Sequence, residues 1–309
     1  MNGVTGIHHV SAIAGDLQTN LKFYRKILGL RLIKTTINFD DPSQYHLYYS
    51  SAVGAPGTLL TFFIWGADGR KGRSGSGQAN GIAFAIPANS GDKWIAHLSK
   101  NDIPFEGPVT RFGEQVLSFE DPDGLKLQLI ASDDERLSWA DSHLRSEMAI
   151  TGLHSISLVM KDRSRSRKLL EALLYFKVSA EERNRTRYEL RESKPGTWVD
   201  IVEEPEQISG SSGLGTVHHI AFRAETDRHQ LDLRKPLMRS GARVTPILDR
   251  YYFNAMYFRE PNQILFEIAT DPPGFTIDES EESLGTFLCL PPWMEKERAE
   301  ITARLQPLK

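Results

Sequence analysis

The stretch GIHHVSAI, residues Gly6 to Ile13, places two histidines side by side in a short run of mostly apolar residues. A second pair occurs far downstream in TVHHIAFR, residues Thr216 to Arg223. Both runs have the alternation and the β-branched content of a half-buried strand. The two stretches are therefore predicted to be equivalent strands that converge on one metal ion.

Two further runs, NGIAFAI (Asn80 to Ile86) and GLHSISLV (Gly152 to Val159), align with these two strands. A helix pattern follows each of the four runs. In the first, Asp16 is a candidate N-cap and Gly29 a candidate stop, whereas Pro236 interrupts the fourth pattern. Several strand patterns come after each helix. This internal repeat predicts an α+β protein of four β-α-β-β-β modules followed by a C-terminal tail.

The connecting segments suggest where the modules divide. We expect modules one and two within residues 1–135, modules three and four within 150–271, and the tail over 272–309. A glycine-rich loop over 66–77 joins modules one and two, and a polar stretch over 132–146 joins modules two and three. The tail is acidic at first and ends in a helix pattern behind two prolines.

Composition restricts the class of protein. With 40% hydrophobic and 25% charged residues, the chain of 309 residues is an ordinary globular protein. A net charge of -3 without a dominant basic patch argues against nucleic-acid binding. No apolar run approaches the roughly 20 residues of a membrane span. We do not expect export, because the first residues lack a basic segment followed by an apolar one. Cys289 is the single cysteine, which excludes an internal disulfide. We expect a cytoplasmic protein without a membrane partner, and the sequence leaves open whether it forms a homo-oligomer.

The repeat alignment places the histidine pairs in register. His9 and His219 occupy one column, and His8 and His218 occupy the column before it. Module three has Ser155 opposite His9. Because neighbouring strand residues point to opposite faces, one histidine of each pair can face a given cavity. We expect His9 and His219 to face inward, between modules one and four, with modules two and three paired separately.

The ends of modules two and four align as well. SFEDPDGLKLQLIAS (residues 118–132) matches YFREPNQILFEIATD (residues 257–271), which pairs Gln128 with Glu267. Only module four is therefore expected to offer a carboxylate at this position. Within ILFEIA, a buried and unpaired Glu267 would be costly unless a cation neutralised it. His9, His219 and Glu267 together form the facial ligand set of non-haem Fe(II) oxygenases, and Mn²⁺ prefers similar ligands.

The remaining histidines are expected to be structural. We predict surface or packing roles for His46, His97, His143 and His229, which lie in polar or helical surroundings. His154 is expected to be a core residue of its strand.

These motifs resemble the vicinal oxygen chelate superfamily, which includes glyoxalases, bleomycin-resistance proteins and extradiol dioxygenases. FYRKILGLRL, residues Phe23 to Leu32, looks like the end of its first helix, and GIHHVSAI looks like its first strand. The resemblance covers all four modules, to about Asp271. It implies that the modules pair into two half-open barrels around a metal.

Within that superfamily, the doubled histidines look most like ring-cleaving dioxygenases of the hydroquinone and chlorohydroquinone type. Those enzymes take one metal ligand from the first module and two from the fourth. The resemblance implies Fe(II), dioxygen and a hydroquinone-type aromatic substrate, with methyl or chloro substituents left open. It also gives active-site roles to His8, His218, Ser11, Arg250 and Tyr257. Aromatic residues available to line the cavity are Phe62, Phe63, Trp65 and Phe266.

Three alternative functions stay open at this point. An extradiol catechol dioxygenase would take its ligands from modules three and four, where Ser155 replaces a histidine. A glyoxalase-like lyase or isomerase would have a metal site with four protein ligands. The fourth would come from the last strand of module one, TLLTFFIW (residues Thr58 to Trp65), which offers no ligand. A non-catalytic protein that binds aromatic molecules would usually lack the metal ligands.

Overall fold

The computed structural model describes residues 3–139, 144 and 146–308. His143 therefore lies outside the described residues. Within those residues, no helix is long and apolar enough to cross a membrane.

Each module has the predicted order of one strand, one helix and three strands. Module one comprises β1 (Ile7–Ala14), α1 (Leu17–Lys22), β2 (Arg31–Asn38), β3 (Asp41–Ser50) and β4 (Leu59–Ile64). Module two comprises β5 (Gln78–Pro87), α2 (Gly91–Lys100), β6 (Phe105–Arg111), β7 (Glu114–Glu120) and β8 (Lys126–Ser132). Module three comprises β9 (Gly152–Met160), α3 (Ser164–Lys168), β10 (Lys177–Glu182), β11 (Arg185–Glu189) and β12 (Trp198–Glu203). Module four comprises β13 (Thr216–Ala224), α4 (Asp227–Arg239), β14 (Leu248–Asp249), β15 (Phe253–Arg259) and β16 (Leu265–Pro273).

The strands form two eight-stranded half-barrel sheets, which confirms the predicted α+β architecture. One sheet has the order β14-β15-β16-β13-β1-β4-β3-β2 and contains modules one and four. The other has the order β10-β11-β12-β9-β5-β8-β7-β6 and contains modules two and three. We call them the first barrel and the second barrel. In each, the first strands of two modules pair antiparallel at the centre, so residues of both modules share the concave face.

Local sequence explains the turn into the first helix. The Asp16 carboxylate accepts the backbone N–H of Thr19 at 2.8 Å, as an N-cap does. After α1 the chain continues as a π-helical turn over Phe23–Ile27. Gly29 then adopts a φ of +67°, which a side chain would disfavour. The cap and the stop predicted for this helix are both present.

Pro236 does not interrupt the fourth helix, contrary to the prediction. The helix α4 runs through it, and Thr226 caps the helix by accepting the N–H of His229 at 3.1 Å. Proline lacks an N–H, so one backbone hydrogen bond of the helix is lost. Leu233 and Leu237 are buried on the apolar face of α4. Their packing against the sheet offsets the missing bond.

The tail packs against module one. It contains three 3-10 turns, over Phe275–Ile277, Glu281–Ser283 and Glu295–Glu297, and then the helix α5 (Arg298–Arg304). The ammonium of Lys34 on β2 is fully buried and forms ion pairs with Asp278 and Glu279 of the tail. Breaking such a buried pair would leave an uncompensated charge, so these contacts hold the tail in place.

Candidate active site

The strand register brings three predicted side chains together on the concave face of the first barrel. Antiparallel pairing of β1 with β13 places His9 opposite Ala221. Parallel pairing of β13 with β16 then places Glu267 beside Ala221. His219 lies two residues before Ala221 and points to the same face. His9, His219 and Glu267 therefore converge from three neighbouring strands.

The distances within this cluster are those of a candidate metal centre. The Nε2 atoms of His9 and His219 are 3.2 Å apart. A carboxylate oxygen of Glu267 lies 2.8 Å from Nε2 of His219 and 3.5 Å from Nε2 of His9. All three residues are buried, and their candidate ligand atoms lie within 4.8 Å of one another. One ion placed among these atoms could bind all three.

The buried carboxylate lacks a hydrogen-bond donor. Neither oxygen of Glu267 has a hydrogen-bond partner among the described residues, although the residue is fully buried. The approach of His219 Nε2 at 2.8 Å is short, but it lacks hydrogen-bond geometry. A buried charge without a partner is expensive, and a divalent cation would neutralise it. The donor set thus fits a metal ion.

The neighbouring histidines orient the two imidazoles. Nδ1 of His8 lies 2.9 Å from Nδ1 of His9, and Nδ1 of His218 lies 2.8 Å from Nδ1 of His219. We infer that His8 accepts the Nδ1 proton of His9. The lone pair of His9 Nε2 then points toward Glu267, as a ligand requires.

His8 and His218 differ in exposure. Burial, followed by the charge of His9, lowers the pKa of His8 to about 3, so the enclosed ring is neutral at pH 7. Burial and the charge of His219 likewise lower the pKa of His218 to about 3. However, His218 is exposed at the mouth of the cavity, where solvent reaches its ring. His218 can therefore exchange a proton with a molecule bound in the cavity, whereas His8 does not line the cavity.

A cavity of about 320 Å³ opens over the cluster and contains the predicted Tyr257 and Arg250. Tyr257 is the partner of Glu267 in the pairing of β15 with β16. Arg250 donates from Nε to the Tyr257 hydroxyl at 3.3 Å and from both terminal nitrogens to Asp40, at 2.9 and 3.1 Å. Because Arg250 is the donor in this contact, the Tyr257 proton is free to point toward the cavity.

The charges of these two residues follow from their surroundings. Burial and the adjacent Glu267 charge raise the pKa of Tyr257 well above its ordinary value. Burial alone would lower the pKa of Arg250, but the contacts with Asp40 and Tyr257 outweigh it and raise that pKa. At neutral pH the cavity therefore offers a protonated phenol beside a permanent cation.

His46 is a cavity residue that sequence reasoning missed. It was predicted to have a surface or packing role, but its ring lines the cavity. Its Nε2 lies 2.9 Å from the Thr61 hydroxyl, and its Nδ1 lies 3.0 Å from the Tyr48 hydroxyl. Burial lowers the pKa of His46 well below its ordinary value, so the ring is neutral. The signal was the alternation in QYHLYY, which puts His46 and Tyr48 on one face of β3.

The aromatic residues proposed for the lining divide between cavity and core. Phe63 lines the cavity, and its ring centroid lies 4.2 Å from that of His46. Phe62 and Phe266 are fully buried in the core, and Trp65 is partly exposed. Phe253 lines the cavity without having been predicted.

The other predicted residues have structural contacts. The Ser11 hydroxyl lies 2.7 Å from that of Thr61, which also contacts His46. His97 and His229 contact the backbone carbonyls of Ile27 and Gly3, which agrees with packing roles. The core position expected for His154 is confirmed. It is buried and lies 2.9 Å from a Glu114 carboxylate oxygen.

In the last strand of each module, one residue occupies the same register position against the first strand. These four equivalent residues are Thr61, Gln128, Asp200 and Glu267. The expectation that only module four has a carboxylate there is wrong, because module three has Asp200. The turn before β12 has Lys-Pro-Gly instead of the acidic residue followed by proline that guided the alignment of the other two ends. Asp200 is neutralised by Arg187 and Arg185, at 2.9 and 3.2 Å.

Comparison with known proteins agrees with this geometry. The family described as the Glyoxalase/Bleomycin resistance protein/Dioxygenase superfamily matches residues 6–129 and 152–277. MhqO of Bacillus subtilis, provisionally named a ring-cleaving dioxygenase, is 41% identical over 98% of this chain and 96% of its own length. A chlorohydroquinone/hydroquinone 1,2-dioxygenase of Sphingobium indicum is 30% identical over 96% of this chain and 95% of its own length.

Solved structures extend the comparison. The crystal structure of a Bacillus subtilis protein, provisionally titled a dioxygenase, covers 100% of this chain and 99% of its own with a TM-score of 0.96 and 40% identity. A variant of glyoxalase I from Zea mays covers 86% of this chain and 92% of its own with a TM-score of 0.65 and 16% identity. The second similarity concerns the fold alone.

Proposed function

Because the chain belongs to the Glyoxalase/Bleomycin resistance protein/Dioxygenase superfamily, we propose that it is an Fe(II)-dependent dioxygenase that cleaves the ring of a hydroquinone-type aromatic. The buried cluster of His9, His219 and Glu267, with both carboxylate oxygens lacking a hydrogen-bond partner among the described residues, carries the proposal. Two imidazoles and one carboxylate leave coordination positions for substrate and dioxygen. The relatives named for ring cleavage and for hydroquinone support it.

Iron bound between modules one and four would supply Lewis acidity toward a phenolic hydroxyl and a path for electrons from ring to dioxygen. His9, His219 and Glu267 would hold it, and Mn²⁺ is the alternative ion. The role of His8 is to orient His9, since its ring is enclosed and does not line the cavity. Loss of such a partner typically lowers metal affinity or activity by about 10–100-fold.

The substrate ring is held by the wall of the cavity. A hydroquinone carries its hydroxyls on opposite carbons, so one metal ion cannot chelate both. The distal hydroxyl needs a protein partner, and Tyr257 can donate its proton there while Arg250 fixes the phenol. Phe63 and Phe253 offer apolar faces on either side. The cavity of about 320 Å³ is the right order of size for a single substituted ring.

Two neutral histidines are placed to accept the proton of the bound hydroxyl. His218 uses Nδ1 toward His219, which leaves its Nε2 for the cavity. His46 stands on the opposite module and is held by Thr61 and Tyr48. Of the two, His218 is connected to solvent at the cavity mouth. We therefore assign proton removal to His218 and a positioning role to His46.

Thr61 also bears on the glyoxalase-like alternative. It occupies the position equivalent to Glu267 in module one, where a four-ligand site would need a fourth donor. A neutral hydroxyl already bonded to Ser11 and His46 is a poor ligand for Ni²⁺ or Zn²⁺. Three strong ligands favour oxygen chemistry over the lyase or isomerase.

The test is oxygen consumption by anaerobically Fe(II)-reconstituted protein, with a panel of hydroquinone, methylhydroquinone, chlorohydroquinone and catechol. We expect turnover of at least one hydroquinone, with bound iron close to one per chain. Consumption with catechol alone would replace the proposal by an extradiol catechol dioxygenase. Bound metal without consumption of oxygen would favour the lyase, and failure to bind metal would favour an aromatic-binding protein.

A further inference from the structure

The second barrel contains a cavity of about 770 Å³ on its own concave face. Gly81 and Ser155 stand there in the positions that His9 and His219 occupy in the first barrel. Gln128 and Asp200 stand in the positions of Thr61 and Glu267. Both metal-binding imidazoles are therefore replaced by residues that offer no nitrogen ligand.

Two guanidinium groups occupy this part of the second barrel instead. Arg111, at the end of β6, donates to the Gln128 side-chain oxygen at 2.9 Å. Arg185, at the start of β11, donates to the Ser157 hydroxyl at 2.7 Å and approaches a carboxylate oxygen of Asp200 at 3.2 Å. Both arginines line the cavity. In the second barrel, guanidinium groups thus contact Gln128 and Asp200, the residues equivalent to Thr61 and Glu267 at the candidate metal site of the first barrel.

The three arginines in this part of the second barrel differ in how their charges are paired. Arg185 and Arg187 share Asp200, and Arg187 also pairs with Glu114. Within the described part of the chain, Arg111 forms no ion pair with a carboxylate. Its charge has only the Gln128 oxygen as a neutral acceptor.

The neighbouring carboxylate of Glu182 does not form an ion pair with Arg111. Glu182 belongs to the edge strand β10, is exposed, and accepts the backbone N–H of Phe112 at 2.8 Å. Burial and then the neighbouring Arg185 lower the pKa of Arg111 to about 10, so it stays a cation at neutral pH. A half-buried cation with unused donors attracts an anion.

The remaining wall restricts which anion fits. Phe119, Leu127 and Val202 give the cavity buried apolar surface beside the two arginines. Four carboxylates line the cavity as well: Glu106 and Glu120 lie on its exposed rim, Asp121 accepts a hydrogen bond from Tyr24, and Glu204 accepts one from Asn184. Their negative charges repel multiply charged anions such as phosphate, whereas an apolar skeleton can pack on the wall. A planar carboxylate matches the fork of donors on each guanidinium.

We propose that the second barrel binds a small monocarboxylate with an aromatic or short unsaturated skeleton, its carboxylate held by Arg111 and Arg185. This site needs no metal and lies in the other barrel from the proposed dioxygenase centre. It therefore goes beyond the proposed function and does not depend on it.

The test is isothermal titration of the metal-loaded protein with benzoate and with benzamide, its neutral counterpart of the same shape. We expect benzoate to bind once per chain and benzamide to bind at least roughly 10-fold more weakly, since a hydrogen-bonded charge is lost. Arg111→Gln should weaken benzoate binding by a similar factor. Lys126→Gln is the matched control, because it removes one exposed cation from the same cavity and should leave affinity unchanged.

Several outcomes would overturn the proposal. They are absence of benzoate binding at millimolar concentration, equal affinity for benzamide, and tighter binding of inorganic phosphate. Retained affinity in Arg111→Gln together with lost affinity in Arg250→Gln would place benzoate in the first barrel instead. If Arg111→Gln does not fold by circular dichroism, the comparison of benzoate with benzamide in the unaltered protein still decides the matter.

Discussion

Replacing Glu267 by glutamine should raise the melting temperature of the metal-free protein. The same change should abolish the further rise in melting temperature that added metal causes. The carboxylate is fully buried, and neither oxygen has a hydrogen-bond partner among the described residues. The nearest groups are the Nε2 atoms of His219 and His9, at 2.8 and 3.5 Å. Glutamine removes the charge and turns one oxygen into an N–H donor that can face these nitrogen lone pairs.

The magnitude follows from what an unsatisfied buried group costs. Relief of one such group is worth about 1–3 kcal/mol. Each kcal/mol shifts the melting temperature of a 150–250-residue domain by about 2–4 °C, and the lower end of that range applies to this longer chain. We therefore expect the chelator-treated Glu267→Gln protein to melt several degrees above the unaltered one. Metal at about 100 times its dissociation constant would add about 2.7 kcal/mol to the free energy of unfolding of the unaltered protein and little to that of the variant.

The assay is thermal unfolding at pH 8, with chelator and with added metal. Glu260→Gln provides a matched control, because Glu260 is also buried in module four but accepts hydrogen bonds from Ser166 and from the Ile264 N–H. That substitution should lower the melting temperature. If Glu267→Gln also lowers it without metal, the carboxylate is already stabilised, by a protonated His219, and the reasoning is refuted.

Three further predictions concern other residues. Tyr257→Phe should reduce kcat/KM for hydroquinone more than for catechol, since catechol can chelate through both oxygens; equal losses in steady-state kinetics would contradict a positioning role. His8→Ala should still bind iron but with about 10–100-fold lower affinity or activity, and unchanged iron affinity and turnover would show that His9 needs no orienting partner. Burial raises the pKa of Asp121 to about 6 from an ordinary 3.8, so the folded state binds the extra proton and stability should fall as pH rises from about 4 to 6. Urea unfolding between pH 4 and 7 should show this slope in the unaltered protein and lose it in Asp121→Asn.

The repeat was readable from sequence because its signals are local. Strand alternation, the Asp16 cap and the Gly29 stop depend on neighbours within a few residues. The pairing of modules one and four also followed from sequence, because two equivalent histidine pairs can serve one ion only if their strands are adjacent. Pro236 was misread since a helix-breaking residue weighs heavily in a local pattern, while the packing of α4 on the sheet is not visible there.

The site was only partly readable. His9, His219 and Glu267 stand out because unusual residues recur in equivalent columns of the repeat. The positions equivalent to His46 in the other modules are Val116, Arg185 and Ala255, so no repeated histidine marked it, and it reaches the cavity because β3 pairs with β4. Asp200 was overlooked for the opposite reason, since its strand follows a turn unlike the ones that guided the alignment.

By itself the sequence determined the four modules, the inward-facing cluster and the family, because periodicity and repeated motifs survive without coordinates. Tertiary structure alone decided which charges neutralise each other. Asp40 reaches Arg250 across 210 positions of sequence, and Arg187 reaches Glu114 across 73. The two barrels share one backbone plan, yet one gathers imidazoles and the other gathers guanidinium groups. Side chains that meet across a curved sheet are fixed by strand register and burial, and neither is a property of any short stretch of chain.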